Sequence, residues 1–244
     1  MSLFKLNSLV NHSLRTIDIL KRNDMNQYKV HYYTFLDAVC NDYTIVNKNF
    51  IELTNTQSYF ILTSGQIDGI NYDQYLKNNG VKGVFLHSEE NSYVEKFNLM
   101  KKYIERNLSI YENSLFCKID TDFVHYKVNS FQKLISGLFS GNKRLFVGNK
   151  KNRWIRGALN AIHVDSILQC PFLEKTSCNE FDDNFTHTLT KNAIVDIMDR
   201  SFFEKSDVLL KDLYGTHVNN CSNKVKCVLK LNEDICKELT GIYE

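Results

Sequence analysis

Two carboxylates one residue apart, Asp120 and Asp122 in the stretch SLFCKIDTDFVHY, are the residues of this chain whose types and spacing point most directly to chemistry. Leu115, Phe116, Cys117 and Ile119 ahead of them read as a buried strand, so the pair lies at a strand end. Residues i and i+2 of an extended chain face the same side, and the intervening Thr121 faces the other. Two acids so placed repel each other unless one is protonated or a cation stands between them. A divalent cation held by oxygen ligands, Mn2+ or Mg2+, removes the conflict and keeps coordination positions for water and phosphate oxygens. D-x-D is also a common tripeptide, so the assignment draws on what lies downstream.

Further along, RWIRGALNAIHVDSI (153 to 167) places Arg153 and Arg156 beside Gly157 and Ala158, small residues that let a ligand approach the backbone. In NEFDDNFTHTLTKNAIVDIM (179 to 198), Asp182 or Asp183 is a natural N-cap for a helix carrying Phe185 and Leu189. One acid caps and its neighbour stays free. A carboxylate at a helix N-terminus is kept ionised by the dipole, as a general base for a sugar hydroxyl requires. The plain alternative is that both acids serve the helix. Lys118, Arg153 and Arg156 are the nearest cations for a phosphate-bearing ligand, and Tyr32 and Tyr33 offer either a platform for a nucleobase or core packing. Lys96 and Asn98 fit a helix surface as well as a ligand.

These residues need a rigid frame. YKVHYYTFL (28 to 36), SYFILTSG (58 to 65) and VKGVFLHSEEN (81 to 91) read as core strands. From Ser92, Tyr93, Phe97, Met100 and Ile104 recur at helical spacing among charges, and Phe131, Leu134, Ile135, Leu138 and Phe139 make a second stripe in VNSFQKLISGLFSG. KRLFVGN follows as a strand. The alternation predicts an α/β fold, a Rossmann-type twisted, mostly parallel sheet flanked by helices, with ligands beyond the carboxyl ends of the strands. Leu9, Leu14, Ile17 and Leu20 give residues 1–27 a helical pattern, read as an N-terminal extension of one domain over 1–244.

Composition narrows the function. With 30 basic and 28 acidic residues the formal charge is +2, too small a field to argue for nucleic acid, and 43% hydrophobic residues suffice for a large core. Seven scattered cysteines suit free thiols in a reducing compartment. No signal peptide or membrane-spanning run is read in the sequence, which points to the cytoplasm and leaves peripheral contact with the inner face of a membrane open. His217, Cys221, Cys227 and Cys236 are spaced unlike a zinc finger, and His163 and His187 read as ordinary helical histidines.

The strand ending in D-T-D, the R-G-A-L stretch and the F-D-D opening a helix together resemble the nucleotide-sugar-dependent glycosyltransferases of the GT-A fold. Their order is similar to that of bacterial surface-polysaccharide transferases and, more distantly, of β-1,3-galactosyltransferases, over residues 28 to 217. The resemblance implies that Asp120 and Asp122 bind the cation that bridges the donor diphosphate, that His217 of YGTHVNN completes the metal shell, and that Lys118, Arg156, Gly157 and Tyr33 belong to the nucleotide site. It implies a catalytic base at Asp182 or Asp183, with Asp183 preferred, a UDP-sugar as donor and a glycan hydroxyl as acceptor. Residues 28–150 then form a nucleotide-binding half and 151–244 an acceptor-binding half. The galactosyl type usually shows three acids in a row, whereas this chain has D-T-D behind Lys118, so donor choice does not carry over. A metal-dependent phosphotransfer enzyme accounts for the acids alone, and a noncatalytic carbohydrate- or protein-binding module for the fold alone.

Overall fold

A computed structural model of the chain describes residues 28–38, 59–120, 123–125, 128–175, 181–200, 202 and 215–217. The helical extension expected over residues 1–27 lies outside them. The strand and helix order is β1 (Lys29–Phe35), β2 (Tyr59–Ser64), β3 (Gln66–Ile67), β4 (Ile70–Asn71), α1 (Tyr72–Asn78), β5 (Val84–Ser88), α2 (Tyr93–Arg106), α3 (Leu108–Tyr111), β6 (Ser114–Ile119), β7 (Phe123–His125) and α4 (Val128–Gly141). It continues with β8 (Leu145–Lys151), β9 (Trp154–His163), α5 (Val164–Gln169), α6 (Phe181–Lys191), β10 (Asp196–Asp199) and β11 (Gly215–His217).

Among the described residues, seven strands form one sheet in the order β10-β8-β9-β6-β1-β2-β5. Every neighbouring pair is parallel except the two that involve β9, which runs antiparallel to both β6 and β8. The fold is α/β, as the alternation predicts. The reversal of β9 comes from a two-residue turn: Lys151 pairs with Trp154, and Asn152 adopts the left-handed conformation at φ 55°. The strand therefore returns beside β8, passes next to β6 and runs directly into α5 at Val164.

Alternation along the strands splits the core into two layers. On β1 and β6, Tyr32, Leu115, Cys117 and Ile119 face Tyr72 and Leu76 of α1 and Phe131, Ile135 and Phe139 of α4. Tyr33, Phe35 and Phe116 face Phe97, Met100 and Ile104 of α2, Ile167 of α5, and Phe181, Phe185 and Leu189 of α6. Helices thus cover both faces, the arrangement that buries a mostly parallel sheet. Ser92 caps α2, its side chain accepting the Glu95 N–H, and the buried stripe of that helix is the one its spacing predicts.

Candidate active site

On such a sheet the place for a ligand is the carboxyl edge where connections diverge. Here β1 leads to β2 on one side while β6 lies on its other side, and Asp120 stands at the end of β6. Lys118, two residues earlier, shares its face and is 7% exposed. Its Nζ lies 3.1 Å from Asp120 Oδ1 and 3.1 Å from Asp182 Oδ1. The two carboxylate oxygens are therefore at most twice that distance apart, with one ammonium between them. Burial works against the charge on Lys118, yet the two carboxylates outweigh it and hold the amine well above the usual lysine range.

Asp182 reaches this point because of how α6 is anchored. Phe181, Phe185 and Leu189 repeat every four residues and enter the layer below the sheet. The Phe181 ring packs edge-on against Phe35 at 4.9 Å and tilted against Phe97 at 5.5 Å, which brings the first turn of the helix over the ends of β1 and β6. Asp183, next along the helix, lies 3.2 Å from an Arg153 nitrogen at the β8–β9 turn. Thr186 Oγ1 accepts the Ile155 N–H, fixing α6 along β9.

Several expectations are corrected. Asp182 and Asp183 are not the N-cap of α6; they occupy its first turn, after Phe181, where the dipole favours acids all the same. Neither stands free, since each is matched to a cation. Lys118 directs its ammonium to two acids. Tyr33 is fully buried, and burial raises its hydroxyl above the usual tyrosine range against the opposing pull of the Lys118 ammonium. No ring face is left to meet a nucleobase. Lys96 is not on a helix surface: it is fully buried and donates to the Leu36 carbonyl at 2.6 Å, while Asn98 pairs with the Leu173 backbone. His163 ends β9 and caps α5 instead of lying within a helix.

Other predicted residues are placed by backbone alone. Ile119 pairs with Leu159, so Arg156 and Gly157 follow β9 past the edge where Asp120 stands. Asp122 lies outside the described residues, but Phe123 right after it pairs with His217 across the β7–β11 ladder. The C-terminal histidine is thereby brought to the segment next to the second acid. Among the described residues no three His, Cys, Asp or Glu side chains form a metal cluster.

What sequence reasoning missed is the role of Lys118. The available signal was the lysine itself: a buried strand carrying one ammonium needs an anionic partner within reach.

No family model matches the sequence, and no curated protein matches it. Among solved structures the chain is similar to the mannosyltransferase PcManGT from Pyrobaculum calidifontis in complex with GDP-Man and Mn2+, with a TM-score of 0.52 and 11% identity over 80% of this chain. The match spans 63% of that protein's chain. A putative glucose-1-phosphate thymidylyltransferase from Bacillus anthracis in complex with a sucrose is similar at TM-score 0.49 and 8% identity, over 84% of this chain and 96% of that one. A glycosyltransferase involved in the glycosylation of the major capsid of PBCV-1 is similar at 0.48 and 14%, over 84% and 98%. The fold is of the GT-A type.

Proposed function

We propose that the chain is a metal-dependent glycosyltransferase that moves a sugar from a nucleotide-sugar, a UDP-sugar by preference, to a hydroxyl of a glycan acceptor, in the synthesis of a surface polysaccharide. The observation that carries this reading is Asp120 at the carboxyl end of β6, sharing the Lys118 ammonium with an acid from the first turn of α6. A protein of similar fold, the Pyrobaculum mannosyltransferase, holds GDP-Man and Mn2+. A noncatalytic module leaves the convergence of strand-end and helix-end acids unused, and a phosphotransfer enzyme accounts for those acids alone.

The donor set fits a hard divalent cation: two aspartates and an imidazole, Asp120, Asp122 and His217, with the Phe123–His217 backbone pairing supporting their convergence. When bound, such a cation supplies positive charge that binds the donor diphosphate and eases its departure. Arg156 and Gly157 are assigned to the diphosphate as well. In an inverting course the acceptor oxygen attacks the anomeric carbon, and the bond to the diphosphate oxygen breaks with its electron pair. The acceptor proton passes to Asp183. Asp183 suits this role better than Asp182, because its partner Arg153 is 74% exposed and readily exchanged for water, whereas Asp182 answers a buried ammonium.

Calorimetry tests the reading. UDP is expected to bind the full chain only with Mn2+ present, and Asp120→Asn and Asp122→Asn are expected to lose that binding while remaining folded. If neither UDP nor GDP nor dTDP binds with Mn2+ present, the reading fails and the noncatalytic module takes its place.

A further inference from the structure

Three buried lysines lie on the α2, α5 and α6 side of the sheet, and they are used differently. Lys96 holds the Leu36 carbonyl and Lys101 bonds Glu105 at 2.7 Å and the Leu168 carbonyl at 2.8 Å, so both stitch main chain to α2. Lys118 alone of the three joins two acids that the glycosyltransferase reading places in the site. We propose that Lys118 is a positioning residue: its ammonium, held between Asp120 and Asp182, locks the first turn of α6 onto the carboxyl end of β6 and so sets where Asp183 stands relative to the donor. This inference rests on the glycosyltransferase reading.

Two observations carry it. The ammonium is confined from more than one direction: besides the two carboxylates, the rings of Phe35 at the end of β1 and Phe181 at the start of α6 each lie 5.8 Å from Nζ. A charge taken out of water in this way is stable only while its partners stay in place, so the contact is stiff where an exposed ion pair is not. Among the described residues Asp183 has no comparable anchor of its own, since its partner Arg153 extends into solvent from a turn. Being adjacent to Asp182 on one helical turn, Asp183 moves whenever Asp182 moves. The link thus runs from β6 through Lys118 to Asp182, and through the helix backbone to Asp183.

The test is a double-mutant cycle on the full chain with Mn2+ and the donor it accepts. Asp182→Asn, Lys118→Met and the double variant are compared with Lys101→Met, a buried lysine of the same layer away from the site. Asp182→Asn is expected to lower kcat on the order of tenfold to a hundredfold with donor KM within about twofold, the cost of misplacing a group by a fraction of an ångström. The double variant is expected to be no slower than Lys118→Met, because both changes cut one link. Lys101→Met should lower the melting temperature and keep kcat. Multiplying effects in the cycle, or Asp182→Asn working at the wild-type kcat, would overturn the inference; the isosteric Asp182→Asn decides it even if Lys118→Met does not fold. Additive variants of an active enzyme sink this inference alone, and a wild type silent on UDP-, GDP- and dTDP-sugars sinks the function with it.

Discussion

His31 illustrates how far a single side chain can be assigned from its surroundings. It is buried on β1, its Nε2 lies 3.1 Å from Ser114 Oγ, and Nδ1 has no hydrogen-bond partner among the described residues. Burial, with a smaller contribution from Lys29, pushes its pKa down to about 4. A base whose folded pKa lies below its unfolded value binds fewer protons when folded, so stability is full above the unfolded pKa near 6.5 and falls as pH drops towards 4. The loss across that window is on the order of 3 kcal/mol. Urea titrations from pH 7 to 4.5 should show it, and His31→Gln should flatten the slope; an equal slope in the variant would refute the assignment. At this scale the types of the site residues were legible in the sequence, and their partners were not. Asp120, Asp182 and Asp183 announce themselves as acids at element ends, whereas the Lys118–Asp182 contact joins residues from distant parts of the chain that only the packing of α6 brings together.

Elements were legible where one periodicity dominated. The stripes of α2 and α4 give their extents directly, because one face of each is buried and the other is wet. The reversal of β9 escaped, since its turn residues Asn152 and Arg153 lack the glycine that usually marks a tight hairpin. A different glycine is the one this hairpin depends on. A Cβ at Gly148 on β8 would come within 2.5 Å of Ile155 Cγ2 and 2.9 Å of Asn160 Cβ, both on β9. Gly148→Ala should therefore cost roughly 1–3 kcal/mol in urea unfolding, the range for overpacking. Gly141→Ala at the end of α4, with nothing within 4 Å, should be neutral or slightly stabilising. Equal effects of the two would show that the β8–β9 contact is looser than described.

At the scale of the described fold, one sheet separates two aromatic layers, and each layer is closed by helices that both precede and follow β6 in the chain. Phe97 in one layer and Phe131 in the other are both fully buried. Because the strands between them are shared, Phe97→Ala and Phe131→Ala should each cost about 3–5 kcal/mol and lower the same calorimetric transition. Two separable transitions would mean that the layers fold as independent bodies. The α/β class could be read from the alternation of patterns, but not the strand order, which depends on which edges find each other across long loops. The β7–β11 ladder is the extreme case: the segment that follows Asp122 pairs with residues 215–217. During synthesis β6 and β7 leave the ribosome long before β11 does, and folding proceeds from the N-terminal side. A nascent chain can thus pair β1, β2 and β6 in the sheet while β7 still waits for its partner strand, so the ladder beside the end of β6 closes after the sheet it flanks.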